Sequence, residues 1–296
     1  MFKHLIFIGV VLVLGCSSCE KNIHIQLHDA GEELVVDGSI ENKKPPTVVL
    51  TRSLNFFSAI DTNLLKTLFV HGAVVSVTGN GHTVTLSEHE VDTLNGNKYY
   101  YYTTDSSDAD LMKGKEGQTY TLNIETEGKN YEAETTIPKG GFRLDSLWWV
   151  WGMKNNKPDT TRAYLMARIT DPPILGNYAR YFTKRNDEPF YPGLNSVADD
   201  EVTNGTIFDF QIDRGVNKSD KIDFNNYGYF MPGDTVTLKF CNIDKATFDF
   251  WHTWEYAWSN EANPFSTPTV VLGNIKDALG YWGGYAAQYK TVIISK

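Results

Sequence analysis

The chain has 296 residues, of which 41% are hydrophobic and 13% aromatic, and a formal net charge of −9. That apolar content excludes wholesale disorder, and the length suits two domains of ordinary size. An acidic balance with no basic run argues against nucleic acid as a partner, because phosphate contacts need clustered Lys and Arg.

Lys3 and His4 precede the apolar run LIFIGVVLVL at residues 5 to 14, and Gly15 and Cys16 follow. A positive start, a short apolar core and a small residue before the cut mark an export signal, and the run is too short for a membrane span. Val13-Leu14-Gly15-Cys16 resembles the lipobox at which such a signal is cleaved and the cysteine acylated. Cys19, in Ser17-Ser18-Cys19, is the alternative acceptor. A redox or zinc pair would also use this spacing, but no second ligand pair lies nearby. If Cys16 carries the lipid, Cys19 survives beside the membrane and can meet Cys241. If Cys19 carries it, Cys241 is a lone buried thiol. Residues 1–19 therefore read as signal and lipidation site, and 20–33 as a tether.

From Leu34 the texture is β. Leu34-Val35-Val36 runs into Asp37-Gly38, which reads as a turn pair, and PTVVLTRS (46–53) is a second strand. Residues 54–70 suggest a loop with a helical turn. In 72–88 two alternating runs flank Gly79-Asn80-Gly81, the pattern of a β-hairpin. NKYYYYTT (97–104) is a tyrosine-rich strand. The stretch 117–138 forms another hairpin about Glu127-Gly128-Lys129. Pro138 and the glycines after it mark a boundary. Residues 34–138 thus predict an Ig-like β-sandwich.

Residues 139–296 predict a second, aromatic-rich β domain with a C-terminal helix. Its strands are expected at 142–153, 161–173, 177–187 and 232–243, with a loop-rich acidic region at 187–232. Asp244 is placed to cap a helix that runs to residue 259. Phe248, Trp251, Glu255 and Trp258 share one stripe of it, and Phe250, Trp254 and Ala257 a second. That face either packs on a sheet or meets a ligand. TVVL (269–272) is β-like, and KTVIIS (290–295) reads as the last strand.

Motifs of chemistry are missing. The chain lacks a G-x-S-x-G elbow, a P-loop and a zincin pair; HEVDT (89–93) lacks the second His. No metal or cofactor is expected. The acidic loops VADDEVTNG and DRGVNKSDKIDFNN lack EF-hand spacing and read as solvated turns. Asp145, Asp171, Asp199, Asp200 and Glu255 offer carboxylates for a glycosidase pair, but sequence alone cannot set two of them at the needed separation. The chain reads as no enzyme.

Several blocks, taken in order, carry a resemblance. They include SSCEKNIHIQL, LVVDGSIENKKPPTVVLTRSLNFF, GAVVSVTGNGHTVTLSE, GQTYTLNIETEGKNYEAETTIP, GDTVTLKFCNIDKATFDFWHTWE, NPFSTPTVVLGNI and ALGYWGGY. Together they resemble a Bacteroidetes family of outer-membrane lipoproteins of unknown function, encoded beside TonB-dependent receptors. Its export signals often end at a Cys before an acidic-basic pair, as in Cys19-Glu20-Lys21, so both cysteines stay open. The resemblance implies a lipid-anchored, surface-exposed outer-membrane protein. It would act as a non-enzymatic binding or accessory subunit of a TonB-dependent transporter, capturing a small nutrient. The alternatives are a structural or adhesive surface lipoprotein and, further off, a hydrolase with an unrecognised site. The resemblance transfers no ligand residues. Exposed aromatics are the candidate contacts: Trp148, Trp149 and Trp151 at the junction, Phe190 and Tyr191 in the loop, and Tyr281 and Trp282 near the end. Trp149 and Trp151 should face away from Trp148.

Overall fold

Alternation writes most of the strands. In the computed structural model, which describes residues 32–54, 67–92, 96, 98–224, 227–260 and 269–295, strand β1 (Leu34–Glu41) buries Leu34, Val36 and Ile40. Cys16, Cys19, the export signal, most of the tether and most of 54–70 lie outside the described residues. Asp37-Gly38 is not a turn: both residues sit inside β1. Gly38 is needed for close approach, since a Cβ there would lie 2.8 Å from Cε3 of Trp282. A glycine demanded by a neighbouring ring thus mimicked a turn signal.

Strand β2 (Thr47–Arg52) pairs antiparallel with β1. Strands β3 (Val74–Gly79) and β4 (His82–Asp92) form the expected hairpin, with Asn80 and Gly81 at φ 54° and 81°. Positive φ at both central residues is the turn whose twist suits a hairpin. Strand β5 (Lys98–Thr103) is the tyrosine strand. Strands β6 (Thr119–Thr126) and β7 (Lys129–Thr136) repeat the hairpin device at Glu127 and Gly128.

Strands β8 (Arg143–Lys154), β9 (Lys157–Thr170) and β10 (Tyr178–Arg185) follow. The region expected to be loop-rich also holds β11 (Tyr191–Asp199) and β12 (Ile207–Ile212). Both are edge strands, where Pro192 and exposed Ile207 and Phe210 are tolerated, and this blurs their pattern. Strand β13 (Thr235–Ile243) leads into helix α1 (Lys245–Asn260). Asp244 caps α1, its Oδ1 accepting from the Thr247 N–H at 2.9 Å. Its Oδ2 accepts from the Thr135 hydroxyl at 2.6 Å and the Thr136 N–H at 3.0 Å, so the same carboxylate ties the helix start to β7. Residues 269–272 are not a strand. The last strand, β14 (Leu279–Ile293), is far longer than KTVIIS, because its glycines let other backbone come close: a Cβ on Gly284 would lie 2.8 Å from the Thr136 carbonyl.

The fold is mainly β. Among the described residues, eleven strands form one sheet in the order β11-β10-β13-β14-β1-β2-β5-β4-β3-β6-β7, and β12-β9-β8 form a second. Strand β14 runs parallel to β1 and antiparallel to β13, so strands from both sides of Pro138 share a sheet. On one face, Val36, Ile40 and Leu50 meet Val75, Tyr120, Leu122 and Ile124, with Trp282 among them. Further along that face, Leu165 and Ile169 of the small sheet pack on Leu238 and Phe240. Helix α1 covers the opposite face, where Phe248 and Phe250 pack with Cys241, Ile243, Tyr281 and Tyr285. Cys241 is fully buried there. Burial pushes its thiol up to about 12. Among the described residues, no helix is long and apolar enough to cross a membrane.

Candidate ligand cavity

The helix-covered face is built by strand register. Asp37 pairs with Tyr281 and Glu41 with Tyr285. Tyr289 pairs with Lys239, Lys239 with Phe182, and Cys241 with Arg180. Side chains at paired positions share a face, so β1, β14, β13 and β10 bring these residues onto one surface. Helix α1 lays Trp251 and Trp254 over it, and residues 216–219 close another side. Together they line an open cavity of about 530 Å³, within the usual range for small-molecule sites.

Aromatic rings make much of the wall. Trp251 meets Tyr281 with centroids 5.0 Å apart, and Trp254 at 5.6 Å. Phe250 stacks on Tyr281 at 4.6 Å. Among these rings sits Arg180, which is 3% exposed. Its Cζ lies 3.4 Å from the Trp251 ring centre and 4.7 Å from that of Phe182, a cation–π arrangement. Arg180 Nε donates to Ser196 Oγ at 3.1 Å and Nη1 to the Tyr285 hydroxyl at 3.3 Å. The Trp251 indole N–H donates to the same hydroxyl at 3.0 Å.

Ion pairs at two acids, Glu41 and Glu255, flank this centre. Lys239 Nζ lies 2.5 Å from Glu41 Oε2, and Lys44 and the Tyr289 hydroxyl hold Oε1 at 2.8 and 2.5 Å. Burial pushes the Glu41 carboxyl up, but Lys239, Lys44 and Tyr289 together bring it below the ordinary range. Lys218 Nζ lies 3.0 Å from Glu255 Oε1. Glu255, 3% exposed, also accepts from the Ser196 N–H at 2.7 Å and hydroxyl at 2.5 Å. Burial lowers the Lys218 pKa even against the pull of Glu255.

Asp37 differs from both acids. Protein surrounds it, yet its side chain is open to the cavity void. Burial pushes its carboxyl above the ordinary range, and the Tyr281 hydroxyl and Arg180 offset this only in part.

Of the aromatics singled out from sequence, Tyr191 and Tyr281 line this cavity. Phe190 is not a lining residue; it packs against Tyr289, centroids 5.9 Å apart. Trp282 points to the other face, fully buried, its indole donating to the Tyr120 carbonyl at 2.9 Å. Trp149 and Trp151 touch each other at 4.6 Å and pack on the small sheet's core, while Trp148 sits with Arg168 at 5.9 Å on the other side. The three tryptophans split across β8 as alternation requires. Trp149 also donates to the Ile293 carbonyl at 3.1 Å. Sequence reasoning missed Asp37, Glu41, Arg180, Lys218 and Lys239. A signal was present: charges inside otherwise apolar strands, in YARYF and LKF.

The second acidic loop is not all solvated turn, since its residues 216–219 line the cavity; the first does other work. Asp200 accepts from the Gly176 and Asn177 N–H groups at 3.0 and 2.9 Å, and Asp171 from the Thr203 hydroxyl at 2.9 Å. These bonds anchor turns. Among the described residues, no three His, Cys, Asp or Glu side chains converge as metal ligands would.

A search of curated proteins found no match. A family model does match, over residues 20–291, nearly the whole stretch that builds these sheets and this cavity. The chain belongs to the family described as Domain of unknown function (DUF4249).

Proposed function

We propose that this chain is a lipid-anchored, non-enzymatic binding subunit of a TonB-dependent transporter in the outer membrane of a Bacteroidetes cell, and that it captures a small nutrient. The cavity carries the reading. It combines ring-lined walls with a few fixed charges, the composition of a site that holds a ligand. The anchor rests on the lipobox-like cysteines, and the partner on resemblance alone. A core drawn mostly from strands β1 to β7, with Ile275 and with Trp282 and Ala286 of β14, supports an Ig-like reading of that half.

Purification of the tagged chain from mildly solubilised outer membranes tests the proposal. A TonB-dependent receptor should be recovered with it. Recovery of the chain alone under every mild detergent would overturn the partnership. Mass spectrometry of the mature N-terminal peptide should find the acyl group on Cys16 or Cys19.

A further inference from the structure

The charges of the cavity do not all cancel by contact. Lys239 is paired with Glu41, and Lys218 with Glu255. Arg180 and Asp37 remain. Among the described residues, no carboxylate pairs with the Arg180 guanidinium, and its Nη2 has no hydrogen-bond partner; Nε and Nη1 are taken by Ser196 and Tyr285. Asp37 likewise has no cation in contact among the described residues, although it feels the charge of Arg180. Arg180 is buried, and a buried ion without a partner is costly; Asp37 lines the same cavity with its carboxylate open to the void.

We propose that the cavity takes a small zwitterion of the amino-acid and short-peptide class, its carboxylate on Arg180 and its ammonium on Asp37. The proposal rests on the reading of this cavity as the nutrient site and names the nutrient's chemistry. The guanidinium is held flat by Trp251 and Phe182, with Nη2 left to donate, which suits a planar carboxylate. A phosphate dianion would suit Arg180 too, but Asp37 would repel it. A neutral sugar would leave both charges unanswered. A lone cation or a lone anion would answer only one. The wall between the two ends is aromatic, with Tyr281, Trp251 and Trp254 available to pack on a side chain or peptide plane. The volume of about 530 Å³ leaves room for more than a single small amino acid.

Retention on the detergent-solubilised full chain, read by mass spectrometry, tests this with four probes. They are a dipeptide library, the same library N-acetylated, the same library C-terminally amidated, and a set of neutral oligosaccharides. The free dipeptides should be retained and should quench tryptophan fluorescence saturably. Either cap should weaken binding about tenfold or more, the usual cost of losing a charge-assisted contact. Asp37→Asn should erase the discrimination against N-acetylation while keeping that against amidation. Arg180→Gln should do the reverse. Arg180 also holds Ser196 and Tyr285; if its variant does not fold, the Asp37→Asn result and the capped libraries decide alone. Equal binding of capped and free libraries would overturn the proposal. Retention of oligosaccharides instead would overturn it while leaving nutrient capture standing. No retention of any probe would also overturn it, and transporter co-purification would judge the parent reading separately.

Discussion

Tyr281 and Trp282 are neighbours in β14 and look out on opposite chemistries. Trp282 is fully buried against Gly38, and its indole N–H is answered by the Tyr120 carbonyl. Around it lie Val, Leu and Ile side chains. Tyr281 faces the cavity, stacked on Phe250, with Asp37 in reach. Its face gathers Arg180, Lys218 and Lys239 against Asp37, Glu41 and Glu255. One sheet thus keeps its two faces apart in kind: a dry face that holds the fold, and a charged face under a helix. A stability change should follow the first, and a ligand or pH effect the second.

The sharpest test of that division is Trp282→Ala. Emptying so large a buried site should cost about 3–5 kcal/mol, read as a lower midpoint in urea unfolding. Gly38→Ala attacks the same contact from the other side. Overpacking against the indole should cost about 1–3 kcal/mol, and a loss near zero would mean that the ring can shift freely. The matching change on the cavity face, Trp254→Ala, should cost clearly less than Trp282→Ala in the same urea experiment, because Trp254 is only half-buried.

The cavity face carries its own structural ion pair. Glu41→Gln leaves Lys239 mostly buried without its partner and should cost about 2 kcal/mol near neutral pH. The sign with pH follows from the lowered Glu41 carboxyl. A depressed folded-state pKa adds stability above the unfolded value and loses it as pH falls through the folded one. The gap between wild type and variant should therefore narrow in acid, in urea midpoints measured from pH 7 downward. A gap that stays constant would show that shape, not charge, makes the difference. Asp244→Ala, which removes the α1 cap and its tie to β7, should cost about 1–2 kcal/mol.

These residues also show what could be read without coordinates. The β3–β4 and β6–β7 hairpins were legible because alternation and turn residues agree over a few positions. The start of α1 was legible because Asp244 precedes an amphipathic run. The long β14 was not, because its glycines serve close backbone approaches made by distant strands. Nor were β11 and β12, edge strands with one-sided burial. The site suffered most. Tyr191 and Tyr281 stand out in the sequence as candidate aromatic contacts, but Arg180, Asp37 and Lys239 meet only through the order β10-β13-β14-β1. That order depends on a parallel pairing between the first and last strands, which no local pattern encodes.

The smallest expected effect bears on the group that sets the two faces apart most clearly. Asp37 is an acid whose folded-state pKa is raised, chiefly by burial. Such a group contributes stability below its unfolded pKa and loses it as pH rises through the folded value, because ionisation is then penalised only in the native state. Asp37→Asn keeps the shape and removes the titration. The variant should be slightly the more stable at neutral pH, and the two midpoints should converge as pH falls below the ordinary carboxylate range. Destabilisation at neutral pH would instead mean that the carboxylate already has a partner. The charge would then belong to the fold, as Glu41 does, and the cavity would have one fewer group to offer a ligand.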